Sequence, residues 1–496
     1  MNTISTIWSG YSVSYSGMSS AQRSLGVTSS NISNTNTEGY TRKRTIGEEW
    51  NTADGSSTGI GTNIQSILRI RSQFLDLQYR DQNTQTGYSQ GKSALLSSMQ
   101  EIVNEFNASD GTTDNGLQQT ITEFVNSWTE LAKDPSSASA KSSVLETANA
   151  MIGTFNEIDT QLAILHESMV NNVRDGVTDV NTLAGKIADL NQEIMDKEVR
   201  NVEASDLRDA RDLLIDQVSA LANITAAEQD NGMVNVYING VSLVNGNKAR
   251  EMEAVGLGTA LSPIKVQWKD MGTPVALTGG TLKSYVEESD MTGVDTDFTA
   301  DNTTIPATTP YNWSTTKNAS ALATLRNGLS DLLVTLARGV NSIYSATGQN
   351  FFTTVSGTDM TLGNVQVNSI YQADYTQIKA NSDNTAGNND LSKKIGALKN
   401  DSTLFKCDGI SMNLDTYYSS VISWMGTAGD TATANYKTQS GLLTQIQNQR
   451  SDLSAVSMDE EMSTMLTYQH AYSASARVMN VVDTLVAGLI SDLGGR

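Results

Sequence analysis

ISTIWSGYSVSYSGMSSAQRSLGVTSSNI, residues 4–32, decides how the rest of the chain is read. Ile4, Trp8, Tyr11, Tyr15, Met18, Gln22, Leu25, Ser29 and Ile32 recur at alternating spacings of four and three, and seven of the nine are apolar. An apolar repeat of this kind is the seam by which one helix packs on another. Gly10, Gly17 and Gly26 lie inside the stretch, and each costs about 1 kcal/mol relative to alanine in a helix interior. Alone, such a helix is mostly unfolded. Covering the apolar side chains, at about 1.5–3 kcal/mol each, outweighs the glycine cost, even after ordering entropy removes much of the gain. The expectation is a segment that is helical once its stripe is covered.

The other end carries a matching pattern. Met462, Met465, Gln469, Tyr472, Ala476, Met479, Asp483, Val486, Ile490 and Leu493 alternate by three and four, and eight of the ten are apolar. Chain ends usually fray, so two patterned ends ask for partners. Either each docks on the protein's own core, or the two pair with each other and with neighbouring subunits.

Between the ends, helical spacing dominates the first half. Ile64, Ile67, Leu68, Phe74, Leu75, Leu95, Leu96, Met99, Ile102, Val103 and Phe106 predict helix over 64–106, with a possible break near Gly87–Gly91. A helix ending at Pro135 follows, then long helices over 139–171 and 172–200. The latter carries a stripe of Val173, Val177, Val180, Ala184, Ile187 and Ile194. Another helix spans 206–222, with Asp206 as its N-cap and Arg208, Asp209, Arg211 and Asp212 on a solvated charged face. At 230 the period changes to two. Val234, Val236 and Ile238 run into Asn239-Gly240, then Val241, Leu243 and Val244, a hairpin signal because Asn-Gly supplies the positive φ of a type I′ turn. Further strands are expected near 263–269 and 274–278. Residues 290–320 read as a polar linker, 321–347 as helix, 350–410 as mixed, and 412–493 as helix with a break at Gly426–Asp430. The fold class is mainly α with a small β insertion. Three parts are expected: a terminal coiled-coil domain (1–35 and 458–496), a helical body of long helices (36–225 and 321–457), and a small outer β unit with a polar loop (226–320).

Composition narrows the function. The chain has 496 residues, 38% of them hydrophobic, with a formal net charge of −21. Nucleic-acid binding needs a basic footprint and is disfavoured. Cys407 is the single cysteine, so no intrachain disulfide is expected. The first residues lack the basic region and apolar core of a cleaved signal, and no run of about 18 apolar residues is present, so membrane insertion is not expected. The two histidines, His166 and His470, are 304 residues apart, and HESMV is not the HExxH zinc signature. No metal, cofactor or catalytic constellation is expected, and the chain reads as a non-enzyme.

Directly behind the first seam comes SSNISNTNTEGYTRKR (29–44). Its Asn31, Asn34, Asn36, Thr37, Gly39 and Tyr40 match a pattern, NNxxNxxTxGY, that resembles the signature of the bacterial flagellar rod, hook and hook-associated protein family. Ser30 stands where that pattern carries its first asparagine. Residues 206–246 and 442–490 are similar to the middle and the C-terminal end of the family's hook–filament junction branch. GGTLKSYVEESD and LARGVNSIYSATGQNFF lie between them in the family's order.

The resemblance implies a structural subunit of the flagellum at the hook–filament junction. It implies secretion through the flagellar type III export apparatus, an escorting cytoplasmic chaperone, and an extracellular place in the flagellum. The implied partners are copies of itself in a homo-oligomeric ring, hook protein, and hook-associated protein 3 on the filament side. The termini are then expected to fold as an antiparallel helical pair during assembly, sealed by the two seams. Asn31 to Asn36 end the first helix, Gly39 and Tyr40 shape a hinge, and Arg42, Lys43 and Arg44 meet acidic neighbours. Alternatives are another axial protein of hook or rod type, or a secreted flagellar-surface adhesin.

Overall fold

Despite its three glycines, the N-terminal stretch is one helix. In the computed structural model α1 spans Asn2–Ser33, and α11 (Met458–Gly494) closes the chain with three acidic residues in its first turn, where the helix dipole favours negative charge. The described residues are 2–50, 61–103, 116–200, 202–259, 261–291, 320–355, 360–383, 385, 387–407 and 410–494. Most of the expected 290–320 linker lies outside them.

In chain order the elements after α1 are β1 (Lys43–Trp50), β2 (Gly61–Arg69), α2 (Gln73–Val103), α3 (Leu117–Leu131), α4 (Ala138–Glu198) and α5 (Ser205–Leu221). Six short strands follow: β3 (Ile224–Glu228), β4 (Val234–Ile238), β5 (Val241–Asn245), β6 (Lys248–Ala249), β7 (Met252–Val255) and β8 (Lys265–Trp268). Next come α6 (Thr281–Glu288), α7 (Ala321–Tyr344), β9 (Phe352–Thr354), β10 (Val365–Val367), α8 (Ser369–Ala373), α9 (Asp390–Ala397), β11 (Phe405–Cys407) and β12 (Ile410–Met412). The long α10 (Leu414–Ser454) precedes α11. The fold is mainly helical with a few small sheets.

The chain divides into two compact units. One comprises 1–83, 181–250 and 440–496, the other 84–180 and 251–439. The four-stranded antiparallel sheet β3–β4–β5–β6 belongs to the first, and the β7–β8 pair to the second. The second unit has a large apolar core. Phe124, Trp128, Tyr344, Phe351 and Phe352 are fully buried in it and pack edge-on or tilted at centroid distances of 4.9–6.5 Å, the arrangement that ring quadrupoles favour. In the first unit the β4–β5 turn places Asn239 at φ 45° and Gly240 at φ 83°, the two positive values of the expected type I′ turn.

Several expectations are corrected. Residues 61–69 are strand β2, paired antiparallel with β1, so Ile64, Ile67 and Leu68 are not helical. Helix α2 runs through Gly87 and Gly91, and α4 is one helix of 61 residues where two were expected. Its stripe from Val173 to Ile194 is buried throughout. The α5 N-cap is Ala204, with Asp206 in the first turn. Helix α10 is unbroken at 426–430, and the break before α11 falls after Ser454. No strand forms over 274–278, where Pro274 makes one isolated bridge to Gln267.

Candidate assembly site

Helices α1 and α11 pair in the first unit, and small residues make the contact. A Cβ on Gly10 would lie 3.3 Å from Val482, and one on Gly17 would lie 2.7 Å from Ser475 Oγ. At the far end Asn31 bonds Glu461. Advancing seven and then fourteen residues along α1 moves seven and then fourteen back along α11, so the pair is antiparallel. The buried face of α1 carries Ser14, Ala21, Ser24, Thr28 and Asn31. With Gly10 and Gly17 these form a second heptad, one residue before the apolar one. One residue is about 100° of helix rotation, so the apolar stripe points away from α11. A third face of α1 holds the β1–β2 hairpin through Ser20 Oγ to Thr62 O (3.2 Å), Arg23 to Ile64 O (3.3 Å) and Ser16 Oγ, which accepts from Thr62 N (3.2 Å).

The apolar stripe is therefore open. Trp8 is 68% exposed and Tyr15 62% exposed, Tyr11 is also exposed, and Met18, Leu25 and Ile32 are half-buried. On α11, Met462, Tyr472 and Ile490 are exposed, while Met465, Ala476, Met479 and Val486 are half-buried. The side chains of Ile4 and Leu493 lie outside the described set. Val478, Val481 and Leu485 add further exposed apolar surface on α11. By length and composition, the run through α10 and α11 contains a window apolar enough to cross a membrane, yet only 6% of it is buried. The window is apolar on average, and polar residues interrupt it.

The asparagine-rich signature is not a plain turn. Asn31, 1% exposed, spends both ends of its amide. Its Nδ2 donates to Lys43 O (2.9 Å) and Glu461 Oε2 (3.0 Å), and its Oδ1 accepts from Tyr40 Oη (2.9 Å) and Lys43 N (3.1 Å). That satisfies a buried amide fully. Asn34 Nδ2 donates to Ser30 O and its Oδ1 accepts from Thr37 Oγ1, while Asn36 is exposed. Gly39 has φ 78°, a conformation that other residues resist, and a Cβ there would lie 3.2 Å from Leu213. Lys43 Nζ sits 5.0 Å from the Tyr40 ring centroid and pairs with Asp206. Arg42 pairs with Glu460 (2.7 Å) and Glu461 (2.8 Å), and Arg44 is exposed.

Behind the signature lies a charged cluster that corrects the expected solvated face of α5. Asp209, Arg211 and Asp212 are buried, as is Asp216 one turn on. Arg69 reaches Asp209 (2.8 Å) and Asp212 (2.9 Å), and Arg71 reaches Asp76 (2.6 Å) and Asp212 (3.0 Å). Arg80 and Arg450 both hold Asp216, at 2.7 and 2.6 Å, and Arg450 also reaches Asp76 (2.8 Å) while lying over the Tyr79 ring. Thr41 N donates to Asp209. The cluster thus joins the chain after α1, β2, α2, α5 and the last turn of α10. Arg211 is turned aside, donating to Asn191 Oδ1 and Gly232 O, and burial pushes its pKa down to about 10.

Desolvation alone would raise the Asp212 carboxyl, but Arg71, Arg69, Arg211 and Arg80 outweigh it and hold its pKa below the ordinary value. A depressed carboxyl stabilises the fold above the unfolded value of about 3.9 and loses that contribution as pH falls through the folded value. Urea midpoints of the first unit should fall as pH drops below about 4. In Asp212→Asn that pH dependence should flatten. An unchanged pH profile in the variant would show that Asp212 does not set it.

Among the described residues no group of three or more His, Cys, Asp or Glu is placed to hold a metal. The geometry offers a paired-helix surface with an open apolar stripe and a buried charged cluster behind it. The family model for the flagellar hook-associated protein FlgK helical domain matches residues 96–360, more than half of the chain. The chain belongs to the FlgK family. Models of the flagellar rod proteins match the same two ends that form the helical pair, at 12–41 and at 447–491, the latter described as a flagellar basal body rod FlgEFG protein C-terminal region. Flagellar hook-associated protein 1 of Bacillus subtilis (strain 168) is 27% identical over 507 residues, covering 96% of each chain. The protein of that name from Escherichia coli (strain K12) is 24% identical over 546 residues, covering 96% of this chain and 98% of its own. The solved flagellar hook junction protein FlgK from Burkholderia pseudomallei shares the fold, with a TM-score of 0.55 at 13% identity over 75% of this chain and 99% of that one. As a FlgK-family member, the chain is a structural protein of the bacterial flagellum.

The sequence shows the apolar stripes, the signature and Arg42 as a residue with acidic neighbours, but not Glu461 as its partner or the small-residue heptad. A signal for the last was present. Gly10, Ser14, Gly17, Ala21, Ser24 and Thr28 repeat by four and three as regularly as their apolar neighbours.

Proposed function

We infer that this chain joins hook to filament as a structural subunit, and that it assembles there through the outward face of its α1–α11 pair. One observation carries the assembly route: a row of large apolar side chains that the subunit leaves open while small residues close the pair. Monomers rarely expose apolar surface in a continuous row, and when they do it marks a contact. Packed side by side around an axis, such pairs line a tube, and the rest of each chain forms the wall.

In this reading neighbouring copies cover the stripe laterally, hook protein lies below, and hook-associated protein 3 lies on the filament side. The chain leaves the cell unfolded through the type III export apparatus, with a chaperone shielding α11 beforehand. A single cysteine and an apolar, uncovered C-terminal helix suit that path. Deleting the gene should give hooks without filaments and flagellin in the medium, visible by electron microscopy and by assay of the culture supernatant. Normal filaments on the deletion strain would refute the junction role.

A further inference from the structure

We propose that the buried Asn31–Glu461–Arg42 knot sets the register of the α1–α11 pair. The rest of the contact is poor at choosing one. Gly10 and Gly17, which meet Val482 and Ser475, are both small, as are Ser14, Ala21 and Thr28 on the same heptad, so a slip of one heptad again sets small α1 residues against α11. On α11, the half-buried and buried positions Met465, Tyr468, Ser475, Met479 and Val482 are all uncharged. Such a surface allows close approach at several offsets.

The knot allows one. Glu461 is 2% exposed and gives one oxygen to Asn31 Nδ2 and the other to Arg42 Nε. Asn31 in turn holds the backbone of Lys43 from both sides, and Arg42 N donates to Ser454 O at the end of α10. A slip by seven residues, about 10 Å at 1.5 Å per residue, would strand a buried carboxylate and a buried amide together. A single buried polar pair of this kind is what fixes alignment in coiled coils, at a cost in stability. Thus Asn31, Arg42 and Glu461 are positioning residues: they decide which part of α11 stands beside each part of α1, and so how the two apolar stripes line up for a neighbour.

Disulfide trapping tests this, in the full chain with Cys407→Ser and in flagella assembled from it. A Cβ on Gly17 would lie 3.5 Å from Ser475 Cβ, within the range a disulfide needs. Gly17→Cys with Ser475→Cys should therefore cross-link within one chain, whereas Gly10→Cys with Ser475→Cys, one heptad off, should not. Adding Asn31→Leu and Glu461→Leu should raise the Gly10–Ser475 product by roughly tenfold or more, the factor carried by one hydrogen bond to a charged group. A cross-link confined to Gly17–Ser475 in the leucine variant would overturn the proposal. So would loss of both cross-links, because the knot would then hold the pair together without choosing its register. In the purified full chain the readout needs no filament, so it stands apart from the junction role.

Discussion

Trp8→Asp combined with Tyr15→Asp should leave a folded, secreted subunit that no longer supports filaments. Both rings are more than half exposed, and surface changes of this kind usually move stability by no more than about 0.5 kcal/mol. Urea unfolding of the purified variant should match the parent. In the proposed assembly a neighbour covers the same positions. Two rings are lost from burial, at about 1.5–3 kcal/mol each. Two carboxylates would have to enter an apolar contact, where an unpaired polar group costs a further ~1–3 kcal/mol or more. The total exceeds about 5 kcal/mol per subunit, which at 1.4 kcal/mol per decade weakens each contact more than a thousandfold.

The readouts are the fraction of hooks bearing filaments and the amount of variant in the medium. Ser19→Asp is the control, because Ser19 is exposed on the same helix outside the apolar row. It should support normal filaments. Wild-type filaments from the double variant would show that the row is not the contact, and equal loss with Ser19→Asp would show that any charge on α1 is harmful.

The same residues show what a sequence reveals and what it hides. The apolar heptad from Trp8 to Ile32 was legible as a helix with one special face. Which partner that face meets was not, because the adjacent small-residue heptad is as regular and glycine lets helices approach more closely than tyrosine does. Asn31 was legible as a residue that ends a helix. Its role in holding Glu461 was hidden, because 430 residues separate them and only the folded chain brings them together. The hairpin at Asn239-Gly240 was legible because two residues of local chemistry determine it. Strand β2 was not, because Ile64, Ile67 and Leu68 fit a helical spacing, and pairing with β1 decided the outcome. Arg208, Asp209, Arg211 and Asp212 read as a solvated face because charge is usually exposed. Their counter-ions Arg69, Arg71, Arg80 and Arg450 lie on other elements, and burial became possible only once those arrived.

That cluster yields the largest expected loss of stability. Asp212→Ala removes a carboxylate that is only 11% exposed and that Arg69 and Arg71 both contact within 3.0 Å. Arg69 keeps Asp209, and Arg71 keeps Asp76, but these guanidiniums, with Arg80 and Arg211 at 3.9 Å, then face one another with one negative charge fewer. Breaking a buried pair from one side costs about 3–5 kcal/mol, because the remaining charge stays desolvated. The exposed Lys133–Glu130 pair has a similar distance, 2.6 Å, with both side chains more than 60% exposed, so Lys133→Ala should cost about 0–1 kcal/mol. Calorimetry separates the two, since a chain with two compact units need not unfold in one step. Asp212→Ala should lower the transition of the first unit alone, and Lys133→Ala should move neither. If the two variants cost the same, the arginines around Asp212 would have to be solvated, and the rigid root that the cluster gives to α1 and α11 would be lost with them.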